Sequence, residues 1–409
     1  MIEDHTGEQS SRLAVGLLVV LHMLPSVLAS PVGGILADRF DRKMTMIMLD
    51  CLGAAVSLIF VLSLYFESIV LLFVGTVLQT ATEGLYEPSR SAIIPQLVSK
   101  SYLPKATTLS GLVWSSMTAI GASLSGFIVA VFGLASCFWI DCVTYLISAL
   151  LLCQVEGKFS VSEDPKESPD DKGSSKGNDG ANSGEMIRQS IPYVCSSEHG
   201  AWVLIKGCGA LIFGASDVIA VVFSETAGQL SSYRLGVMFG AVGVGCSLGP
   251  RVMDKMWSGH EEGELEVLQR ACTVGYGVVG VGYLAMSLVS ERFWALCLSN
   301  GFRASGTAVL WIDSSLILQS TTPDHIMGRV MAIDFALATS GEAVSALVAG
   351  YVLDRDVSAS TISAALGIFG LLRCGSWSIY TRIKGPVCNS TNGMIEAVEL
   401  YPLTVIEDT

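Results

Sequence analysis

Ionisable side chains interrupt the apolar stretches of this sequence at widely separated points. They are Asp50, Glu83, Glu87, Asp141, Lys206, Asp217, Arg303, Asp313, Asp334, Glu342 and Arg373. Because a charge is costly to place in hydrocarbon, such residues usually pair with one another or line a path for ions and solutes. A carboxylate that burial makes more basic, and that a nearby cation makes acidic again, can take up and release a proton. The pattern therefore indicates either buried ion pairs or a carboxylate that carries a proton.

Four of these residues, Glu83, Asp217, Arg303 and Glu342, lie further inside their apolar surroundings than the rest. If two of them face a common cavity, one could carry a proton whose release accompanies the movement of a solute. The alternative for each is an internal salt bridge with a structural role, and the sequence leaves both interpretations open.

Three other charged positions have simpler expected roles. Asp50 and Asp141 are expected to be structural carboxylates that pair with neighbouring helices. Lys206 is expected to extend along its helix until its ammonium reaches the inner membrane surface.

The most distinctive local motif is the string PVGGILADRFDRK at residues 31–43. It joins two apolar runs, Leu13–Ala37 and Met44–Phe66, through a loop so short that the two helices must be antiparallel neighbours. The charges of this loop therefore gather at one membrane surface. They belong to Asp38, Arg39, Asp41, Arg42 and Lys43.

Composition indicates which elements must position these residues. Hydrophobic residues make up 51% of the chain and charged residues only 15%, whereas a soluble protein has about a quarter charged residues. Apolar runs of about twenty residues are long enough to cross a bilayer as helices. We predict an all-α polytopic membrane protein with about eleven transmembrane helices. The predicted spans are Leu13–Ala37, Met44–Phe66, Ile69–Glu87, Thr107–Phe132, Ser136–Cys153, Ala201–Phe223, Tyr233–Val252, Arg270–Val289, Phe293–Leu318, Val330–Leu353 and Ser358–Tyr380.

Several functional classes are disfavoured by the same sequence. The net charge of −13 argues against nucleic acid as a partner. The 11 cysteines lack metal-ligand spacing, and there is no credible hydrolase triad or nucleotide-binding loop. We therefore expect no catalytic residues, no metal site and no cofactor, and we do not expect an enzyme.

Basic residues are distributed unevenly between the loops. They lie in the loops after the first, third and fifth spans, whereas Glu67–Ser68 and Gly133–Ala135, after the second and fourth, contain none. Since basic residues mark the cytoplasmic side, the first span is expected to begin outside and the C-terminal tail to lie inside.

The stretch from 154 to 200 differs from the rest of the chain. It is charged, rich in Pro, Gly and Ser, and too polar to bury a core. We expect a cytoplasmic disordered linker here, in which IRQSIPYV could form a short interfacial helix. The linker would separate an N-terminal transmembrane bundle at 1–153 from a C-terminal bundle at 201–380, which a cytoplasmic tail at 381–409 follows.

The string at 31–43 resembles the signature of the major facilitator superfamily, in which a glycine-rich helix end runs into an Asp-Arg-x-x-Arg-Arg/Lys loop after helix two. Asp41 is familiar in the drug and siderophore exporter branch, such as macrolide efflux proteins and the enterobactin exporter. Two later strings resemble cytoplasmic turns of that branch, where each helix is expected to end at a polar patch. Their matching residues are Pro88, Arg90 and Pro95 in the first, and Pro323, Gly328, Arg329 and Val330 in the second.

The resemblance implies two pseudo-symmetric bundles that rock about a central cavity, and it implies conformational roles in gating. Asp38 would accept hydrogen bonds at a helix N-terminus only while the cytoplasmic side is closed, and would so bias alternating access. For Arg42 and Lys43, anchoring at the membrane surface is the alternative. The residues with implied gating roles are Gly34, Asp38, Arg39, Arg42, Lys43, Arg90, Gly328 and Arg329.

The resemblance also implies a secondary transporter in a lipid bilayer that exports a small amphipathic organic solute, with protons as the coupling ion in an antiport. Because the family signature follows helix two, helix one has no counterpart here. Either the sequence is truncated, which we favour, or the protein has lost that helix. The alternative function is that of a truncated or non-transporting membrane protein with a receptor-like or regulatory role. The protein is expected to be multi-pass, in the plasma membrane or in a plastid or other organelle membrane.

Overall fold

The computed structural model describes residues 10–99, 102–159, 199–225, 231–257 and 264–384. Within these ranges the regular elements are α-helices, with a 3₁₀ turn at Asp324–Ile326 and no strand. The helices are α1 (Ser10–Arg39), α2 (Arg42–Tyr65), α3 (Ile69–Leu97), α4 (Leu103–Phe132), α5 (Leu134–Gln154), α6 (His199–Phe213), α7 (Ser216–Glu225), α8 (Ser231–Trp257), α9 (Glu264–Leu288), α10 (Phe293–Thr321), α11 (Met327–Leu353) and α12 (Ala359–Lys384).

The predicted all-α membrane architecture is confirmed. Each predicted span coincides with a helix, except that the sixth is divided between α6 and α7. Among the described residues, 8 spans are long and apolar enough to cross a membrane, and Ala201–Ser224, which joins α6 and α7, is one of them. The helices α1, α4 and α10, which are not among these spans, are 29 or 30 residues long. At about 1.5 Å per residue they also have the length to cross a bilayer.

One predicted helix end is wrong. The sequence suggested that the third helix ends before Pro88, but α3 continues to Leu97 with Pro88 and Pro95 inside it. Proline removes a backbone donor and weakens a helix locally. Here Ile93 is buried against Met46 of α2, and this packing helps to keep the last turns helical.

The loop between α1 and α2 is as short as predicted, and Asp41 in this loop caps the next helix. Asp41 is the N-cap of α2, where its Oδ1 accepts a hydrogen bond from the Met44 N–H at 3.0 Å. Although α1 and α2 touch, α1 packs mainly on α3 and α11. Glycine permits the approach to α3, because an ideal Cβ at Gly84 would lie only 2.2 Å from the carbonyl oxygen of Ser26.

The described helices group into two compact units. The first contains α1, α2, α3, α5, α6, α7 and α11, together with the end of α4 and the last residues of α10. The second contains α8, α9 and α12 with the larger parts of α4 and α10. Because each unit combines helices from both halves of the sequence, the division into bundles at 1–153 and 201–380 stays a prediction.

Close helix contacts also hold the second unit together. α9 packs on α12, where an ideal Cβ at Gly280 would lie 2.9 Å from the carbonyl oxygen of Gly367. The predicted linker and tail are outside the described residues over 160–198 and 385–409.

Candidate functional site

The end of α1 and the start of α11 approach closely because both carry glycine. An ideal Cβ at Gly34 would lie 2.7 Å from the Cβ of Ala332, and one at Gly328 would lie 2.7 Å from the Cβ of Ala37. Larger residues at either position would therefore push the helices apart. The Ser30 hydroxyl adds a hydrogen bond to the carbonyl oxygen of Ala332 at 2.9 Å.

Asp38 closes this contact by capping α11. Its Oδ1 accepts a hydrogen bond from the Gly328 N–H at 2.8 Å. Its Oδ2 accepts hydrogen bonds from the Arg329 N–H at 3.2 Å and from the Arg329 Nε at 2.8 Å. The Asp38 side chain is 2% exposed, so both the helix N-terminus and the guanidinium compensate a buried charge. The structure thus brings Asp38 together with Gly328 and Arg329, a contact between two motifs that the sequence analysis treated separately.

Arg42 lies beside Asp38 and is fully buried. Its Nε donates to the carbonyl oxygen of Ala37 at 3.1 Å, and its Nη1 donates to that of Ala92 at 2.9 Å. Nη1 also donates to Asp324 Oδ1 at 2.8 Å, and Nη2 donates to the Asp324 carbonyl oxygen at 3.0 Å. Each guanidinium nitrogen therefore has an acceptor, as a buried arginine requires.

The acidic partner Asp324 is a residue that the sequence reasoning missed. It lies in the 3₁₀ turn before α11, and its Oδ2 also accepts a hydrogen bond from Gln96 Nε2 at 2.7 Å. Asp324 could have been suspected because it lies between Pro323 and Gly328, two residues that match the family turn. Nothing in the sequence, however, links Asp324 to Arg42. We call Asp38, Arg42, Asp324, Gly328 and Arg329 the polar latch.

The other predicted gating residues lie outside the polar latch. Lys43 Nζ donates to the carbonyl oxygen of Val155 at 2.9 Å, a favourable place for a cation at the C-terminal end of α5. Arg90 binds Glu87 on its own helix, through Nε at 2.7 Å and Nη2 at 2.6 Å. Arg39 is exposed at the end of α1.

The chain that follows α5 is attached to the α1–α2 loop. The Phe159 N–H donates to Asp41 Oδ2 at 2.8 Å, and the Phe159 carbonyl oxygen accepts from the Arg42 N–H at 3.1 Å. The Phe159 ring packs against Met46 and Ile93. We call residues 155–159 the clasp, since they are bound directly to a residue of the polar latch.

A buried ion pair joins α6 and α11 within the first unit, between Lys206 of α6 and Asp334 of α11. Their side chains are 6% and 2% exposed, and Lys206 Nζ donates to Asp334 Oδ2. The expectation that Lys206 extends to the membrane surface is therefore wrong, because a carboxylate on the adjacent helix provides a closer partner. In the described part of the chain, no donor reaches Asp334 Oδ1.

Three of the four predicted interior residues belong to the same unit as this pair. Glu342 experiences the charges of Asp217, Glu83 and Lys206. Glu342 is partly buried, whereas Glu83 and Asp217 are exposed. Among the described residues, no three His, Cys, Asp or Glu side chains are grouped as a metal site would need.

The fourth, Arg303, belongs to the second unit, where it is almost fully buried. Its Nε donates to Asn300 Oδ1 at 3.0 Å, and its guanidinium lies 5.2 Å from the ring centroid of Tyr283. These contacts join α10 to α9 and satisfy the charge locally. They favour the structural interpretation of Arg303.

The two carboxylates expected to be structural both accept hydrogen bonds across the contact between α2 and α5. The Ser148 hydroxyl donates to Asp50 Oδ2 at 2.7 Å, and the Ser57 hydroxyl donates to Asp141 Oδ2 at 2.6 Å. Their geometry is consistent with a role in helix pairing.

Comparison with known proteins gives matches to one family. The family model described as Major Facilitator Superfamily matches residues 2–346. The uncharacterized MFS-type transporter YfiS of Bacillus subtilis (strain 168) is 30% identical over 143 residues, which cover 35% of this chain and 34% of that protein. The enterobactin exporter EntS of Salmonella choleraesuis (strain SC-B67) is 24% identical over 374 residues, which cover 88% of this chain and 82% of that protein.

A solved structure has a similar fold. The crystal structure of the human organic anion transporter MFSD10 (TETRAN) matches with a TM-score of 0.70 at 16% identity, covering 88% of this chain and 83% of that one. The match to YfiS, in contrast, spans about a third of its length (34%).

Proposed function

Because this chain belongs to the Major Facilitator Superfamily, whose members are membrane transporters rather than enzymes, we propose that it moves a small amphipathic organic solute by alternating access. The finer proposal is export of the solute in exchange for protons.

The polar latch is the observation that carries the proposal. Its bonds join the end of α1 to the start of α11 and to the turn that precedes it, so they can break while both helices stay intact. A contact of this kind has two discrete states, which is the requirement for a switch between two conformations. The bonds exist only when the helix ends meet, and they therefore favour the state closed at this surface. The basic residues of this loop suggest that the surface is cytoplasmic.

Two further observations support the direction of transport and the coupling ion. Glu83, Asp217 and Glu342 supply acidic groups near one another within the first unit, where a proton can bind. The name of EntS says that this relative is an exporter, and it matches most of the chain. Export driven by proton entry combines these two observations.

The test is solute movement in proteoliposomes that contain the purified chain under an imposed pH gradient. The panel comprises amphipathic cations, siderophore-like acids and lysophospholipids, each carrying a radiolabel. We expect gradient-dependent movement of at least one class. Asp38→Asn should reduce the rate by roughly 5- to 150-fold, the range of a coupling free energy of about 1–3 kcal/mol.

Glu266→Gln is the matched control, because Glu266 belongs to an exposed ion pair with Arg270 on α9. Such pairs contribute little, so this variant should transport like the parent. If the folded parent moves none of the panel under any gradient, the non-transporting alternative is favoured instead.

A further inference from the structure

The middle of α12 carries a positive charge inside a membrane-length apolar helix. Ala359–Ile383 is long and apolar enough to cross a bilayer, and Arg373 lies about 21 Å along the helix axis from Ala359, at about 1.5 Å per residue. A cation at this depth is costly unless an anion neutralises it. Among the residues that the structure describes, no carboxylate forms an ion pair with Arg373. The charge of Arg373 therefore still requires a counter-charge.

The contacts of the Arg373 guanidinium leave part of it without a hydrogen-bond acceptor. The guanidinium carbon lies 5.7 Å from the ring centroid of Tyr276 and 5.8 Å from that of Trp377. Nη1 donates to Ser376 Oγ over a long 3.4 Å, whereas no acceptor among the described residues reaches the buried Nε. Aromatic rings attract a cation but do not replace the acceptors that five N–H donors require. The guanidinium is therefore held in place but incompletely satisfied.

A second arginine of the same unit has a more complete set of partners. Arg303 of α10 also lies against a tyrosine of α9, with its guanidinium 5.2 Å from the ring centroid of Tyr283. Its Nε donates to Asn300 Oδ1 at 3.0 Å, and the residue is 2% exposed. Arg373 is only partly buried, and its hydrogen-bond partner Ser376 is exposed. Arg303 is thus a buried structural residue, whereas Arg373 can be reached from outside the unit.

The Arg373 side chain is directed toward the nearer membrane surface. Side chains of a helix normally lean toward its N-terminus. Arg373 instead contacts Ser376 and Trp377, which lie about one turn closer to the C-terminal end of α12. From Trp377, about 10 Å of helix axis remains to Lys384 at about 1.5 Å per residue. A long cationic side chain that extends in this way usually meets lipid headgroups, and the bilayer can thin locally around it.

We propose that Arg373 binds the phosphate of an anionic phospholipid in the leaflet at the C-terminal end of α12. A planar guanidinium can present two parallel N–H groups to two phosphate oxygens, and the negative charge supplies the counter-charge that the described residues lack. The side chains of Leu372 and Ile379, which are 66% and 59% exposed and lie on the same face of α12 as Ser376, would pack against the acyl chains. Basic sites between transmembrane helices bind acidic headgroups in this way.

The test is native mass spectrometry of the full chain in a nonionic detergent, titrated with phosphatidylglycerol. We expect the parent to bind one molecule of this lipid more tightly than any further molecule. Arg373→Gln should weaken this first binding step by about 10- to 150-fold, the range expected for hydrogen bonds to a charged group. Phosphatidylcholine, whose headgroup has no net charge, should show no such preferred first step with the parent. An equally tight first step for phosphatidylcholine would overturn the proposal.

Arg355→Gln is the matched control, because Arg355 is an exposed arginine that also lies against a tyrosine. Its guanidinium is 5.0 Å from the ring centroid of Tyr351, and its Nη2 donates to the Tyr351 hydroxyl at 2.6 Å. This variant should bind the first phosphatidylglycerol as tightly as the parent does. An equal loss of affinity in both variants would contradict a site at Arg373, since overall positive charge would then explain the binding.

Arg373→Lys keeps the experiment decisive if Arg373→Gln does not fold. It retains the charge but lacks the planar fork, so it should bind the first lipid more weakly than the parent and more tightly than Arg373→Gln. Affinity equal to that of the parent would overturn the proposal. Ammonium phosphate at millimolar concentration is the competitor, and displacement of the first lipid by it would indicate a site for free anions instead. None of these measurements involves transport, so the result is independent of the proposed function.

Discussion

Arg42 shows how a charged side chain can be buried at a junction between helices. Its guanidinium donates hydrogen bonds to one carbonyl oxygen of α1 and one of α3. It also donates to the carboxylate and to the carbonyl oxygen of Asp324. Planar, multiply donating geometry is a property of arginine that lysine lacks. The same side chain therefore holds the α1–α2 loop, α3 and the turn before α11 in one arrangement.

Replacing Arg42 by Ala should lower the free energy of unfolding by about 1–3 kcal/mol, the cost of leaving buried polar partners unsatisfied. The loss stays below that of a fully buried ion pair, because the Asp324 side chain is 37% exposed. Chemical denaturation of the chain in mixed micelles measures the change.

Arg39→Ala is the control for this experiment, since Arg39 lies only three residues away but is exposed. Its unfolding curve should stay close to that of the parent. If both variants lost the same free energy of unfolding, the positive charge of the loop, and not the hydrogen bonds of Arg42, would account for the stabilisation.

The contacts of Asp38 could be predicted in part from the sequence, whereas those of Arg42 could not. Asp38 was assigned to a helix N-terminus from the motif that contains it, and the structure places it there. The pairing of Arg42 with Asp324 depends on a contact between residues 282 positions apart. Lys206 was misassigned for the same reason, since its partner Asp334 is 128 positions away. No local pattern carries such information.

Helix contacts in this protein depend on where glycines meet neighbouring backbone. An ideal Cβ at Gly84 would lie 2.2 Å from the carbonyl oxygen of Ser26, whereas one at Gly121 would have no atom within 4 Å. Backbone cannot yield as a flexible side chain can, so the two positions should respond in opposite ways.

Gly84→Ala should therefore separate α1 from α3 and reduce the free energy of unfolding by about 1–3 kcal/mol. Gly121→Ala should be neutral or stabilising, by up to about 1 kcal/mol, because alanine favours the helix. Thermal unfolding of both variants in nanodiscs makes the comparison. A stable Gly84→Ala variant would show that α1 and α3 are further apart than described.

Hydropathy predicted the helices well but not their interruptions. Each predicted span except the sixth coincides with one helix, because length and apolar content decide whether a segment can cross a bilayer. The division between α6 and α7 and the extension of α3 through Pro88 and Pro95 were not predicted. Both occur where the chain packs closely on a neighbouring helix, at Gly214 against Glu342 and at Ile93 against Met46.

On the scale of the whole molecule, the described helices expose an unusually large number of hydrophobic side chains. Large hydrophobic side chains are exposed along many of the helices, and Val143 in the middle of α5 is 51% exposed. Water would make such a surface aggregate, whereas lipid tails solvate it. The exposed apolar surface is therefore the face that meets the bilayer, as the family requires.

Val143→Asp should destabilise the chain in a bilayer by about 2.5–3.5 kcal/mol, the cost of a charge at the centre of a transmembrane helix. Val143→Leu should leave its stability unchanged. Unfolding in lipid bicelles measures both. If Val143 faced an aqueous cavity, the aspartate would be tolerated, and the assignment of this face to lipid would be wrong.

The clasp has a mechanical consequence. Phe159 is bound to Asp41 and to the backbone of Arg42, and Lys43 holds Val155. Tension on the chain beyond Phe159 is therefore borne first by these hydrogen bonds, and only then by the end of α5. A partner that pulled on this part of the chain would thus exert its force on the loop between α1 and α2, one residue away from the guanidinium that binds Asp324.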